Sequence, residues 1–277
     1  MKTVTNIKSC TFIPKINSHL VMLFEEIIFG PLNSRRLGVS LGINVLPLES
    51  KYCTFDCIYC ECGWTHSDQK VRGKLFSREQ IKFAMEKRFP EILQQGFIPD
   101  SITFAGNGEP TIHKDFLGII DDVIEMRNMF FPHAQIAVLS NASLIHKSHV
   151  KEALLKIEEC ILKLDAGSEE MFHRINRPLG ASKLVEIVDG LISFNGKLII
   201  QTLFLRGEYH GERIDNTSEV EVDLWLGHLK KIMPAKVMIY CIDRATPARD
   251  LEKVSVEEME KIADKVRALG IATEVYS

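Results

Sequence analysis

The chain has no apolar run long enough to cross a membrane. Near the N-terminus Lys2, Lys8 and Lys15 precede an apolar stretch from Leu20 to Phe24, but it stops at Glu25-Glu26, and no small-residue cleavage site follows. Neither an export signal nor a span is expected from this stretch. A large excess of one charge is also missing: 37 acidic residues face 34 basic ones, a net charge of −3, so overall balance does not point to a nucleic-acid binder. Low-complexity tracts, internal repeats and long Pro/Gly/Ser linkers are absent too. The cysteines do not come in the spaced pairs of a disulfide framework. Seven occur in 277 residues, three of them clustered, which fits metal-binding thiols in a reducing cytoplasm. One local basic stretch (Lys70, Arg72, Lys74, Arg78, Lys82, Lys87 and Arg88 against Glu79 and Glu86) reads as a solvated helix face. His113, His146, His149, His173 and His210 show no metal-ligand spacing.

What is present is alternation. Short Val/Ile/Leu/Phe-rich runs at 39–46, 101–105, 135–139, 160–164, 198–205 and 236–240 show little polar alternation, as strands buried on both faces do. Amphipathic stretches at 77–95, 114–129, 146–157, 182–194 and 218–232 separate them. A last helix is expected at 256–269, with a short strand at 272–275. Ser77 with Gln80, and Ser218 with Glu221, have capping-box spacing. Pro90 should kink or end the first helix. The order predicts an α/β protein: a parallel (β/α)6 sheet curved into a partial TIM-type barrel, one domain at 29–277 behind an extension at 1–28. In such folds chemistry sits at the C-terminal ends of the strands. "CTFDCIYC" (53–60) follows the first strand, "AGNGEPT" (105–111) the second, "SNAS" (140–143) the third, "DAG" (165–167) the fourth and "CIDR" (241–244) the sixth. Five loops converge on one rim.

Three uses compete for the cysteines of the first loop. Structural zinc needs four ligands, and Cys62 or His66 could complete the set, although no second cysteine pair exists. Ordinary burial suits Cys160 and Cys241, which sit in apolar strands, and the isolated Cys10. An iron–sulfur cube held by only three thiolates keeps one iron open for a small molecule. On that reading Cys62, two residues past Cys60, is not a ligand.

The C-x3-C-x2-C spacing with Tyr59 before the last cysteine resembles the cluster loop of radical S-adenosylmethionine (SAM) enzymes, and Gly106-Asn107-Gly108-Glu109 resembles that superfamily's Gly-Gly-Glu motif. "FGPLNSRRLGVSLGINVLP" (29–47), "LDAGSEEMFHRINRP" (164–178), "DNTSEVEVDLWL" (215–226) and "YCIDRATPARDLEKVS" (240–255) narrow the resemblance to compact bacterial members grouped with the tRNA wyosine-base synthases. The resemblance implies a barrel of the radical SAM type. Cys53, Cys57 and Cys60 would hold a 4Fe–4S cluster, which cleaves SAM reductively to a 5′-deoxyadenosyl radical that abstracts hydrogen from a substrate. It implies SAM contacts from Tyr59, Gly106, Asn107, Gly108, Glu109, Ser140, Asn141 and Asp165, and a one-electron donor such as flavodoxin or ferredoxin. Arg35, Arg36, Arg177 and Arg244, close to these loops, suggest an anionic group on the substrate, a nucleoside or an anionic small molecule. A monomer is expected. Two departures matter. Only Cys10 precedes the loop, so the second cluster of the wyosine synthases is not expected, nor is a flavodoxin-like domain. Similar proteins begin near "MLFEEIIFGP", which makes Met22 a candidate initiator. Two other classes stay open: an activase that plants a radical on a partner's glycine, and a non-catalytic zinc- or iron-binding protein.

Overall fold

The computed structural model describes residues 22–65 and 73–277. Cys10, His66, Lys70, Arg72 and the residues before Met22 lie outside them. The strands are β1 (Ile28–Ser34), β2 (Gly38–Ile43), β3 (Ser101–Phe104), β4 (Gln135–Ser140), β5 (Glu159–Lys163), β6 (Ile199–Tyr209), β7 (Glu212–Asp215), β8 (Lys236–Cys241), β9 (Leu251–Lys253) and β10 (Ala272–Tyr276). Their order across the sheet is β1-β2-β3-β4-β5-β6-β8-β10. Every step from β2 to β10 is parallel. Among the described residues the edge strands do not pair with each other, so the barrel is open, as the sequence pattern predicts.

The helices are α1 (Arg78–Gln94), α2 (Phe116–Phe130), α3 (Ser148–Leu154), α4 (Glu169–Asn176), α5 (Leu184–Ile192), α6 (Glu219–Ile232) and α7 (Val256–Arg267). Strand residues such as Ile102, Ile136, Val138, Ile200 and Val237 join helix residues such as Ile81, Phe89, Ile119 and Leu229 in the main apolar core. The capping box Ser77/Gln80 forms. Ser218 caps α6 by accepting from the Glu221 amide, but the Glu221 carboxylate instead accepts from the amides of Gly167 (3.0 Å) and Ser168 (3.1 Å), in the loop leading to α4. Pro90 does not end α1, which runs four residues past it. The buried face of Ile81, Met85, Phe89 and Ile92 holds the helix through the proline. Within the basic stretch, Arg78 and Lys82 pair with Asp122 and Arg88 with Glu91.

Alternation along the strands sends every second side chain into the lumen. A small second cluster of Ala137, Ile161, Ile199 and Met238, with Leu37, Leu139 and Tyr276 against it, sits apart from the main core. These are the inward positions of β4, β5, β6 and β8. On β5, β6 and β8 the next inward positions are polar, Lys163, Gln201 and Tyr240, while β4 places Leu139 there. The lumen therefore has an apolar floor with a polar layer above it. The turn between β1 and β2 crosses the open side of the barrel. Arg36 donates to Gln201 of β6 (2.8 Å) and its guanidinium lies 4.6 Å from the Tyr240 ring centre. Arg35 pairs with Asp243 at 3.4 Å and donates to the Ser277 carbonyl.

Candidate active site

The cysteine loop leaves the C-terminal end of β2 and is held by each of the other rim loops. Tyr52 forms a parallel bridge with Gly108, with Tyr52 N–H to the Asn107 carbonyl (2.7 Å) and Glu109 N–H to the Tyr52 carbonyl (3.0 Å). Thr54 and Ser143 share a hydroxyl hydrogen bond of 2.7 Å. Ile58 N–H donates to Ile175 at the end of α4, and Ala248 N–H in the loop after β8 donates to Ile58. Arg244 closes the circle with an ion pair to Glu61 at 2.6 Å.

The three thiols sit among donors. Cys53 Sγ accepts from Phe55 N–H (3.4 Å) and Asn141 Nδ2 (3.5 Å), and Cys57 Sγ accepts from Asn176 Nδ2 (3.6 Å). Burial pushes the Cys53 thiol up to about 12 and Cys57 up to about 11. Cys60 is lowered instead: a hydrogen bond from Cys62 outweighs burial, and the charge of Lys51 adds to it. Cys62, the donor of that bond, is raised, and it lies 3.5 Å from the Gly106 carbonyl. Lys51 is the unforeseen member. It is 2% exposed, donates to the Gly63 carbonyl (3.0 Å) and stands 3.9 Å from Asp56. Burial works against its charge, yet Cys60, Cys53, Cys57 and Asp56 hold its ammonium above the usual lysine range.

This donor set fits an iron–sulfur cluster. Cluster sulfurs and their thiolate ligands take N–H hydrogen bonds, and a nearby cation offsets their negative charge. Among the described residues no three Cys, His, Asp or Glu side chains close on a single ion position. A lone zinc needs its thiolates about 3.8 Å apart, given Zn–S bonds of about 2.3 Å in a tetrahedron. A cluster takes each thiolate to a different iron, so a wider spread suits it.

Next to the thiols lies Glu109, 2% exposed. It accepts from Thr111 N–H (3.1 Å) and Oγ1 (2.5 Å), Ser140 Oγ (2.9 Å) and Asn141 N–H (2.6 Å). Burial raises its pKa despite these donors, and among the described residues no ion pair to it forms. Asn141 links the two halves of the site: its amide holds Glu109, and its side chain reaches Cys53 and Thr54.

Other expected contacts are occupied by the fold itself. Asn107 is fully buried; its side chain accepts from Phe24 N–H and donates to the Phe24 and Pro47 carbonyls. Both Asp165 oxygens are engaged, one by Tyr59 OH (2.5 Å) and Asn176 Nδ2 (2.8 Å), the other by Leu203 N–H (2.9 Å) and Lys163 at 3.6 Å. Both side chains are thus hydrogen-bonded within the protein. Nor do the four arginines gather. Arg35, Arg36 and Arg244 line one cavity of about 530 Å³. Arg177 stands apart, between the rings of Trp64 (5.4 Å) and Tyr209 (5.0 Å), 3.7 Å from Asp56. Asn176 and Lys163 were not singled out from sequence. Asn176 ends a helix, Glu169–Asn176, that the sequence pattern did not place, although its buried Met171, Phe172, Ile175 and Asn176 follow helical spacing, and Lys163 lies within an apolar strand.

No family model matches the chain. A UPF0026 protein of Methanocaldococcus jannaschii is 32% identical over 241 residues, 85% of this chain and 70% of that protein. A UPF0026 protein of Synechocystis sp. is 31% identical over 233 residues, 81% of this chain and 79% of that one. The GTPase Obg of Brachyspira hyodysenteriae is 32% identical over 238 residues, but the chain spans only 32% of its length. Among solved structures, a radical SAM methyltransferase from Sphaerobacter thermophilus matches with a TM-score of 0.61 at 12% identity, over 86% of this chain and 65% of that one. The anSMEcpe structure with bound AdoMet matches at 0.55 and 13%, over 84% and 63%. Archaeal TYW1 matches at 0.50 and 13%, over 83% and 71%. These likenesses show the fold: an unclosed, mostly parallel barrel of the radical SAM kind.

Proposed function

The chain belongs to the UPF0026 family, and from its fold and site we propose that it is a radical SAM enzyme. The observation that carries this reading is the junction of the cysteine loop with the Gly106–Glu109 loop, which sets three donor-ringed thiols beside a buried carboxylate that forms no ion pair among the described residues. Cys53, Cys57 and Cys60 would hold a 4Fe–4S cluster, with Cys62 outside the ligand set. Together with SAM, such a cluster supplies one-electron cleavage of the sulfonium bond and hydrogen abstraction from a substrate.

The protein's part is positioning. Gly106 and Gly108 let the backbone come close: a Cβ on Gly106 would lie 2.3 Å from Asn44 Oδ1. Glu109 offers a preset anion to the methionine ammonium of SAM. Ser140 and Asn141 keep that carboxylate oriented, and Asn141 also keeps Cys53 in place. Tyr59, 9% exposed and tied to Asp165, walls the cavity below the loop and limits the entry of water. A reducing compartment and an external electron donor such as flavodoxin or ferredoxin complete the reading. No helix among the described residues is long and apolar enough to cross a membrane.

The test is anaerobic: reconstitution with iron and sulfide, reduction with dithionite, addition of SAM, and chromatography for 5′-deoxyadenosine. About four irons per chain with 5′-deoxyadenosine formed supports the reading. Zinc retained in place of iron, or a cluster that leaves SAM intact even when cell extract supplies substrate, overturns it.

A further inference from the structure

The cavity of about 530 Å³ has two ends. One lies at the rim, walled by Tyr59, Glu61 and Ala105. The other is lined by the β1–β2 turn and by Arg36. Its size suits a small organic molecule. Of the three arginines on its wall, two are neutralised at the periphery: Arg35 by Asp243 and Arg244 by Glu61. Arg36 is different. Among the described residues it forms no ion pair with a carboxylate; its contacts are the neutral Gln201 amide and the Tyr240 face. One N–H of five goes to Gln201, which leaves the guanidinium able to bind a second acceptor in forked fashion. The hydroxyls of Ser40 and Thr103, 2.7 Å apart, lie on the same wall.

We propose, on the reading that this chain is a radical SAM enzyme, that its substrate is a small molecule with an anionic oxygen group, a carboxylate or a phosphate, bound by Arg36 beside the β1–β2 turn. The other end of the substrate then lies at the rim beside the cysteine loop, where hydrogen abstraction would occur. Gln201 and the Tyr240 ring position the guanidinium.

Isothermal titration of the reconstituted full chain with glutarate, inorganic phosphate and the uncharged glutaramide tests this. Glutarate or phosphate should bind, and whichever is tighter names the head group; glutaramide should bind at least about tenfold more weakly, the loss expected for a charge-assisted hydrogen bond. Arg36→Gln should weaken the anion by a similar factor, and Arg36→Lys, which keeps charge but not the fork, should fall between. Arg177→Gln, outside the cavity, should leave binding unchanged. Circular dichroism establishes that each variant is folded, and if Arg36→Gln is not, Arg36→Lys against wild type carries the comparison. Anion binding indifferent to both Arg36 variants, glutaramide binding as tightly as glutarate, or no anion binding at millimolar concentration overturns the proposal. The two readings separate. If wild type forms no cluster but anions bind through Arg36, the radical SAM reading fails and the anion pocket stands. If 5′-deoxyadenosine forms while anions ignore Arg36, only the pocket fails.

Discussion

Tyr52 and Gly108 lie in contact across the mouth of the barrel: a Cβ placed on Gly108 would sit 2.0 Å from the Tyr52 carbonyl oxygen. Tyr52 is one residue from the first cysteine of the loop, and Gly108 is next to Glu109. This single point of backbone pairing fixes the thiols relative to the carboxylate.

Gly108→Ala should therefore damage both halves together. Its φ of +141° is a region that side-chain-bearing residues avoid, and the added methyl meets backbone, not a movable side chain. A loss of at least about 2 kcal/mol in urea unfolding is expected, with iron binding after reconstitution well below that of wild type. Unchanged stability and full iron content would show that the loop tolerates separation from Glu109.

Glu109→Gln probes the uncompensated charge. A raised carboxyl pKa means that the folded state holds its proton more firmly than the unfolded chain. Below the ordinary glutamate value of 4.5 both states are protonated and burial costs little. As pH rises from there through the raised value, the folded state must carry a buried anion and stability falls. Measured by urea unfolding across pH, the stability of wild type minus Glu109→Gln should decline with rising pH over that interval. SAM affinity at neutral pH should fall at least about tenfold in the variant, since an ammonium–carboxylate contact becomes ammonium–amide. A pH-independent difference would mean that Glu109 titrates normally.

How legible these features were from sequence depended on period and on neighbours. The parallel strands read clearly because both faces are covered, so 136–139 and 237–240 are short apolar runs with no polar alternation. β1 was missed because its "IFGPLNS" includes Pro31 and Asn33 and lies at an edge, paired on one side to β2. Strand parity could have sent Gln201 and Tyr240 inward, but the turn that brings Arg36 to them has no one-dimensional signature. Lys51 and Asp165 mark the same limit. Each is a charged residue in a loop, and each is buried by contacts the chain does not show locally: Asp165 by Tyr59, 106 residues away, and by Leu203, and Lys51 by its own loop closing on Gly63. The cysteine spacing and Gly106–Glu109 were legible because their chemistry is local; which of the surrounding polar residues face a ligand and which brace the loop was not.

Cys62 supplies a cleaner contrast. It hydrogen-bonds to Cys60 and approaches the Gly106 carbonyl, so it can act as a donor to a ligand thiolate without being a ligand. Cys62→Ala should keep about four irons per chain with a modest change in the cluster's absorption or reduction potential. Cys57→Ala should lose the cluster. Equal iron loss in both variants, by colorimetric iron assay, would make Cys62 a ligand.

Asp165 separates a brace from a contact. Four donors, Tyr59 OH, Asn176 Nδ2, Leu203 N–H and Lys163, engage its two oxygens, and its side chain is fully buried. Asp165→Asn replaces one oxygen with an NH₂ that must face a donor, and leaves the Lys163 ammonium without its carboxylate. Removing one partner of a buried charged pair costs about 3 kcal/mol or more, and that loss should appear in urea unfolding. The folded variant should still bind SAM within about threefold of wild type, because both Asp165 oxygens are already held to the fold by Tyr59 OH, Asn176 Nδ2 and Leu203 N–H. A ribose contact would give the reverse pattern, with stability preserved and SAM affinity reduced about tenfold or more. Equilibrium binding of SAM at low temperature, alongside the unfolding curves, decides between the two.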